Sequence, residues 1–273
     1  MPSTDVPPNS PPPDSNSFVA RVEDGWQRTL DHPSLAFVPA VSSLLAVDNV
    51  RRVLEFRGGH FGLTFRFPSA LPDLWTFVSV PSEGSGVHVS PSIFLLPVLV
   101  LVQSVLVAGL LGSVHEVVQT GRYDFAENAK RYFAPVLVYQ ALVAAASFAT
   151  FGVLAATGPL ALLLVPAFFV LSYLFYATPY LLVVADASVG EALGRSYEWA
   201  LAGGSYFTYG AAYLLFVTAV SLVGTAMVVN LGALGIALGA IVSAPVALAL
   251  TFATTEFVAQ LADETKPPDA RRR

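Results

Sequence analysis

Apolar residues gather into long runs over the back two-thirds of the chain. Residues 93–118, 133–156, 160–185, 206–229 and 231–253 are each long enough to cross a bilayer as a helix, which takes about 20 residues. The breaks at Thr157, Gly158 and Pro159 and at Asn230, Leu231 and Gly232 predict tight turns. An earlier apolar run, 35–47, is short for a span. It crosses only if its helix extends from His32 or Pro33 to Val53 and Leu54, which predicts six spans in all.

Between these runs the pattern changes period. Phe18, Val22, Trp26 and Leu30 form one helical stripe with Arg21, Asp24 and Arg28 off it, which predicts an amphipathic helix lying in the membrane interface. Over 55–90, Phe61, Leu63, Phe65 and Phe67 alternate with Gly62, Thr64 and Arg66 at the period of a strand. The segments 75–80 and 87–90 read as a hairpin, and the stretch as a small β-rich extracytoplasmic insertion, with an irregular interfacial segment as the rival reading. Residues 1–17, with six prolines, cannot bury enough apolar surface to order themselves, and 263–273 reads as a disordered basic tail.

The polar stretch 178–210 predicts a surface helix. Ser188 and Glu191 make a capping box, Glu191 and Arg195 sit four apart, and Gly203 and Gly204 stop the helix. Asp124, Glu127 and Arg131 repeat the offsets of Ser188, Glu191 and Arg195, so the chain reads as units of surface helix, span out and span back. Chance recurrence of common capping chemistry is the competing explanation. On a wheel, Val189, Leu193, Ser196, Tyr197 and Ala200 face one way, and Glu191, Arg195 and Glu198 the other. A solvated polar face outweighs a catalytic one. The candidate partner interface is therefore Glu127, Arg131, Glu191, Arg195 and Glu198.

Composition agrees with the membrane reading: 55% of residues are hydrophobic, 12% are charged, and the mean hydropathy is +0.64. With the N-terminus inside, Arg21, Arg28, Arg122, Lys130, Arg131, Arg195, Lys266, Arg271, Arg272 and Arg273 are cytoplasmic, against Arg51, Arg52, Arg57 and Arg66 outside. That bias predicts a multi-pass cell-membrane protein with both termini cytoplasmic, although Arg51 and Arg52 sit on the wrong side of the first span. The absence of cysteine excludes disulfides and thiol chemistry, and no basic face suggests nucleic acid.

Candidate chemistry is sparse. His115 and Glu116 begin a zinc-protease motif that fails at Gln119, and His32, His60 and His88 are scattered. No catalytic residue, metal site or cofactor is expected. Within the spans, Gln103, Gln140 and Glu256 are the polar groups to weigh, as interhelical bonds ahead of a transport path. Gly235 and Gly239, and Ala141, Ala145 and Ala149, mark expected packing faces.

Pro179 followed by Asp186, Ser188, Val189, Glu191, Ala192, Leu193, Arg195, Ser196, Tyr197 and Gly203 resembles the signature of the polytopic family related to the membrane domain of glycerophosphodiester phosphodiesterases. Residues 108–135, with Gly109, Gly112, Gly121 and Phe125, are similar to a pattern in archaeal proteins of that group. The resemblance extends over 18–262. In the enzymes of that group a separate soluble barrel carries catalysis, and no such stretch stands here, so phosphodiesterase activity is not expected. The resulting expectation is an all-α, six-span protein without enzymatic chemistry, a scaffold or a component that binds lipid or a membrane protein partner. A permease-like component moving a small or lipidic solute is the alternative.

Overall fold

The computed structural model describes residues 17–81, 94–157 and 164–265. The proline-rich start, the 87–90 arm of the expected hairpin and the last residues from 266 on lie outside the described residues. The fold is all-helical, 82% helix, with no strand among the described residues. Among the described residues five helices are long and apolar enough to cross a membrane, or six if one bent pair is a single span, as suits a multi-pass membrane protein.

Helix α1 (Phe18–Asp31) begins where the Ser17 hydroxyl accepts from the Ala20 N–H at 3.2 Å. A 3-10 turn (Pro33–Ala36) leads into α2 (Phe37–Leu45), and α3 (Val47–Glu55) follows after a 62° bend at Ala46. Next come α4 (Leu96–Thr120), α5 (Phe125–Thr157), α6 (Leu164–Phe175) and α7 (Thr178–Val184), the last two continuing one span over Pro166–Val184. Then follow α8 (Val189–Ala202), α9 (Gly204–Leu231) and α10 (Ala233–Glu264), so the expected basic tail is helical at its first two residues.

Contacts define two ends of the bundle. At the base, α1 lies on the last turns of α10: Arg28 pairs with Glu256 at 2.7 Å, Arg21 donates to Gln260, and Ser34 bonds Tyr123 at 2.6 Å. At the top, Val53 of α3 packs with Val228 and Ile236 beside the α9–α10 turn. The first apolar run therefore traverses the bundle from base to top. Its bend lays the amphipathic α3 across the top, so Arg51 and Arg52 lie on a helix turned away from the apolar run instead of continuing it. The start of α1 and the end of α10 share the base.

Several local expectations are corrected. The surface helix expected around Asp124, Glu127 and Arg131 and the following span are one continuous α5, which runs through Pro135 without a break, whereas Gly203 (φ 70°) separates α8 from α9. On α8 the buried face is Ala192, Ser196, Trp199 and Ala200; Tyr197 turns out and stacks on Phe175 instead. On α1, Val19, Trp26 and Leu30 face outward, while the face against α10 is Arg21, Gly25 and Thr29. Close approach explains this: a Cβ on Gly25 would stand 2.4 Å from the Ala249 carbonyl oxygen. Gly235 packs as expected, under the Val228 carbonyl, but Ala141, Ala145 and Ala149 are exposed.

The core below mid-height is aromatic. Tyr176 stacks on Tyr206 and Tyr209 on Phe257, both with ring centroids 4.1 Å apart, and the Ser196 and Tyr206 hydroxyls bond at 3.0 Å.

Candidate functional site

The stretch expected to be a β-rich lid is a non-helical segment that descends into the bundle and returns. It departs from helix because Gly58, Gly59, Gly62 and Pro68 punctuate it, and the alternation of Phe61, Leu63 and Phe65 suits an extended chain. Among the described residues it pairs with no strand. Its backbone groups are met by side chains of the surrounding helices, and those partners report its depth.

At the top, Asn230 of α9 brackets His60, accepting from its N–H at 2.9 Å and donating to its carbonyl at 3.2 Å. At the middle of α9 a second bracket forms on Thr64. Its N–H donates to the Ser221 hydroxyl and its carbonyl accepts from the Thr218 hydroxyl, both at 3.0 Å. Lower still, Phe67 lies against Gly210, Phe169, Tyr173 and Tyr176, and the Tyr180 hydroxyl donates to the Ser69 carbonyl at 2.7 Å. Asn230 and Gly210 are separated by about 30 Å of helix at 1.5 Å per residue. The descending limb therefore spans most of the bundle's height.

The return limb is held the same way. Leu74 N–H donates to the Ser43 hydroxyl at 3.0 Å, the Trp75 indole to the Ser43 carbonyl at 2.7 Å, and Ser79 N–H to the Thr225 hydroxyl at 2.8 Å. The Thr64 hydroxyl ties the limbs together through the Thr76 carbonyl at 2.9 Å. Gly224 lets the Phe77 carbonyl approach α9, where a Cβ would stand 2.8 Å from it. Irregular backbone survives at membrane depth only when protein groups satisfy it, which these hydroxyls do.

Two ionisable residues ride on this segment. Asp73 caps a single 3-10 turn (Leu74–Thr76), accepting from Trp75 N–H at 3.0 Å, and its other oxygen accepts from the Ser42 hydroxyl at 3.1 Å. Gln103 donates to the same Ser42 hydroxyl at 3.2 Å. Arg66 is exposed, within electrostatic reach of Asp73 and Tyr213, yet makes no hydrogen bond or ion pair among the described residues. Its place between Thr64 and Phe67 sets it near mid-height, well inside the position expected for an outer lid.

The predicted site residues are dispersed. Gln103 joins the Asp73 network near the top, Glu256 pairs with Arg28 at the base, and half-buried Gln140 has no hydrogen-bond partner among the described residues. Glu191 pairs with Arg195 at 2.6 Å on the exposed side of α8, and Glu198 is exposed beside them. Glu127 is exposed, its N–H capped by the Asp124 carboxylate at 3.0 Å. Arg131 crosses to Asp186 at 2.9 Å, so the two sequence copies meet at the base.

His115 bonds Gln119 at 2.9 Å, and Glu116 accepts from Asp124 N–H and the Asn128 amide. No cluster of three metal-ligating side chains occurs among the described residues. A cavity of about 170 Å³ between α9, α10 and the return limb is apolar apart from Ser243. Sequence reasoning missed Asp73 and the depth of Arg66. The Ser and Thr residues of α9, spaced as Thr218, Ser221 and Thr225, are the signal that could have located them. No family model, curated protein or solved structure matches the chain.

Proposed function

We propose that the protein is a membrane-embedded binding component for lipid, acting without enzymatic chemistry, with the segment between α3 and α4 as its recognition element. The observation that carries this reading is the descending limb. It holds Phe61, Leu63 and Phe65 outward, 76%, 45% and 55% exposed, at heights where the surroundings of a spanning bundle are hydrocarbon. The limb is fastened at both Asn230 and Thr64, so these side chains form a fixed surface.

The stacked tyrosine core and the dispersal of Gln103, Gln140 and Glu256 favour a binding component over a polar conduit. A permease-like role is the second reading, favoured by irregular backbone at depth and an ionisable pair on it, features that transporters use at their sites. The lysine and arginine bias supports placing the base in the cytoplasm of a cell-membrane protein. The motif from Pro179 to Gly203 supports kinship with the phosphodiesterase-related membrane family.

Native mass spectrometry of the full chain extracted with its lipids tests the reading. A retained lipid is expected. A bare chain, or one carrying only a protein subunit, counts against it.

A further inference from the structure

The apolar cavity between α9, α10 and the return limb has a definite shape and place. At the top the two helices touch: a Cβ on Gly235 would stand 2.4 Å from the Val228 carbonyl oxygen. Lower down, the return limb meets both from the bundle side, with the Phe77 carbonyl against Gly224 and the Leu74 side chain against Gly239. Phe77 and Leu74, each 2% exposed, thereby form the floor of a groove. Its walls are open to the surroundings: Val223 and Met227 on α9, 60% and 50% exposed, face outward, as do Leu238 and Val242 on α10, 43% and 67% exposed.

Length and chemistry narrow the occupant. The lining runs over 220–231 on α9 and 235–246 on α10, about 17 Å of each helix at 1.5 Å per residue. One end lies at the turn between α9 and α10, so the groove reaches from the top of the bundle through about half of a hydrocarbon core roughly 30 Å thick. That is the depth of one leaflet. Apolar cavities of about 150 Å³ take up benzene, so this one, about 170 Å³, admits a stretch of hydrocarbon chain. Ser243 is the only polar side chain of the lining, and its hydroxyl has no hydrogen-bond partner among the described residues. A lone hydroxyl cannot offset the burial of a charged group, whereas a chain restores the van der Waals contacts that an empty groove forfeits.

We propose that this groove holds one hydrocarbon chain of a membrane lipid whose headgroup stays at the top of the bundle. This rests on the lipid-binding reading and names the part of the lipid that the return limb takes. The chain carries no polar group below the top, so its burial incurs no desolvation cost.

The test reconstitutes the full chain with phosphatidylcholine bearing a photoreactive diazirine midway along one chain. After irradiation, adducts should concentrate on residues 220–231 and 235–246 and include Leu74 or Phe77, which the groove alone exposes to lipid. Even labelling over all exposed spans overturns the assignment. This map uses the unaltered chain, so it stands whether or not a variant folds.

Native mass spectrometry of protein extracted from phosphatidylcholine vesicles supplies the second measurement. Val223→Trp combined with Val242→Trp fills the groove from both walls and should lower lipid retention about tenfold. Leu215→Trp, on the exposed side of α9 outside the groove, should leave it unchanged. Ser243→Ala should also leave it unchanged, and a loss there would mean a ligand held by a hydrogen bond, overturning the assignment. Equal retention by the folded double variant overturns it too while leaving lipid binding intact. Failure of the intact chain to retain any lipid removes the lipid-binding reading and the assignment together. A dimer that the double variant splits would put a second copy of the chain in the groove and overturn the assignment.

Discussion

The N–H of Thr64 donates to the hydroxyl of Ser221 at 3.0 Å across 157 residues of sequence. With Thr218 donating to the Thr64 carbonyl, two side chains of α9 do for one residue what a neighbouring strand would do in a sheet. The alternation of Phe61, Leu63 and Phe65 thus reports extended backbone correctly, while the partner is a helix.

Removing that bracket should loosen the segment. Ser221→Ala leaves a buried backbone N–H without an acceptor and should cost about 1–3 kcal/mol, seen as a lower unfolding temperature in detergent. Thr218→Val should cost less, because a carbonyl tolerates the loss better. The double variant should fall short of the sum, since both substitutions release one residue. Full additivity would show that the two hydroxyls act separately.

Gly25→Ala should dislodge α1. The added methyl meets the Ala249 carbonyl, which is helix backbone and cannot step aside, so a loss of about 1–3 kcal/mol is expected. Limited proteolysis within residues 17–36 should accelerate in the variant. An unchanged cleavage rate would mean that the contact between α1 and α10 is looser than drawn.

Single cysteines can report depth in this cysteine-free chain. Arg57→Cys and Ala202→Cys should react with a membrane-impermeant reagent from opposite faces of the bilayer. Phe65→Cys should react far more slowly than Arg57→Cys from the same face. Comparable rates at residues 57 and 65 would place the segment in water.

Much of the scaffold was legible in sequence because hydrocarbon imposes one demand on every residue of a span. Run length located the five long spanning helices, and the S-x-x-E box located α8, whose Ser188 hydroxyl accepts from Glu191 N–H at 3.3 Å. Gly203 and Gly232 marked breaks because both take positive φ. The candidate site was hidden for the opposite reason. Gly62, Thr64 and Arg66 carry no local mark of depth, and the same alternation would serve an edge strand in water.

The sequence by itself determined which segments are apolar enough to cross, where helices start and stop, and which residues could be charged at an interface. Those properties depend on neighbours a few positions away. Only the tertiary structure decided what meets the backbone of residues 56–81, because Asn230, Ser221, Thr218, Thr225 and Ser43 reach it from helices distant in sequence. Those same bonds draw an expected outer lid into the helical bundle, and leave Arg66 exposed beside it.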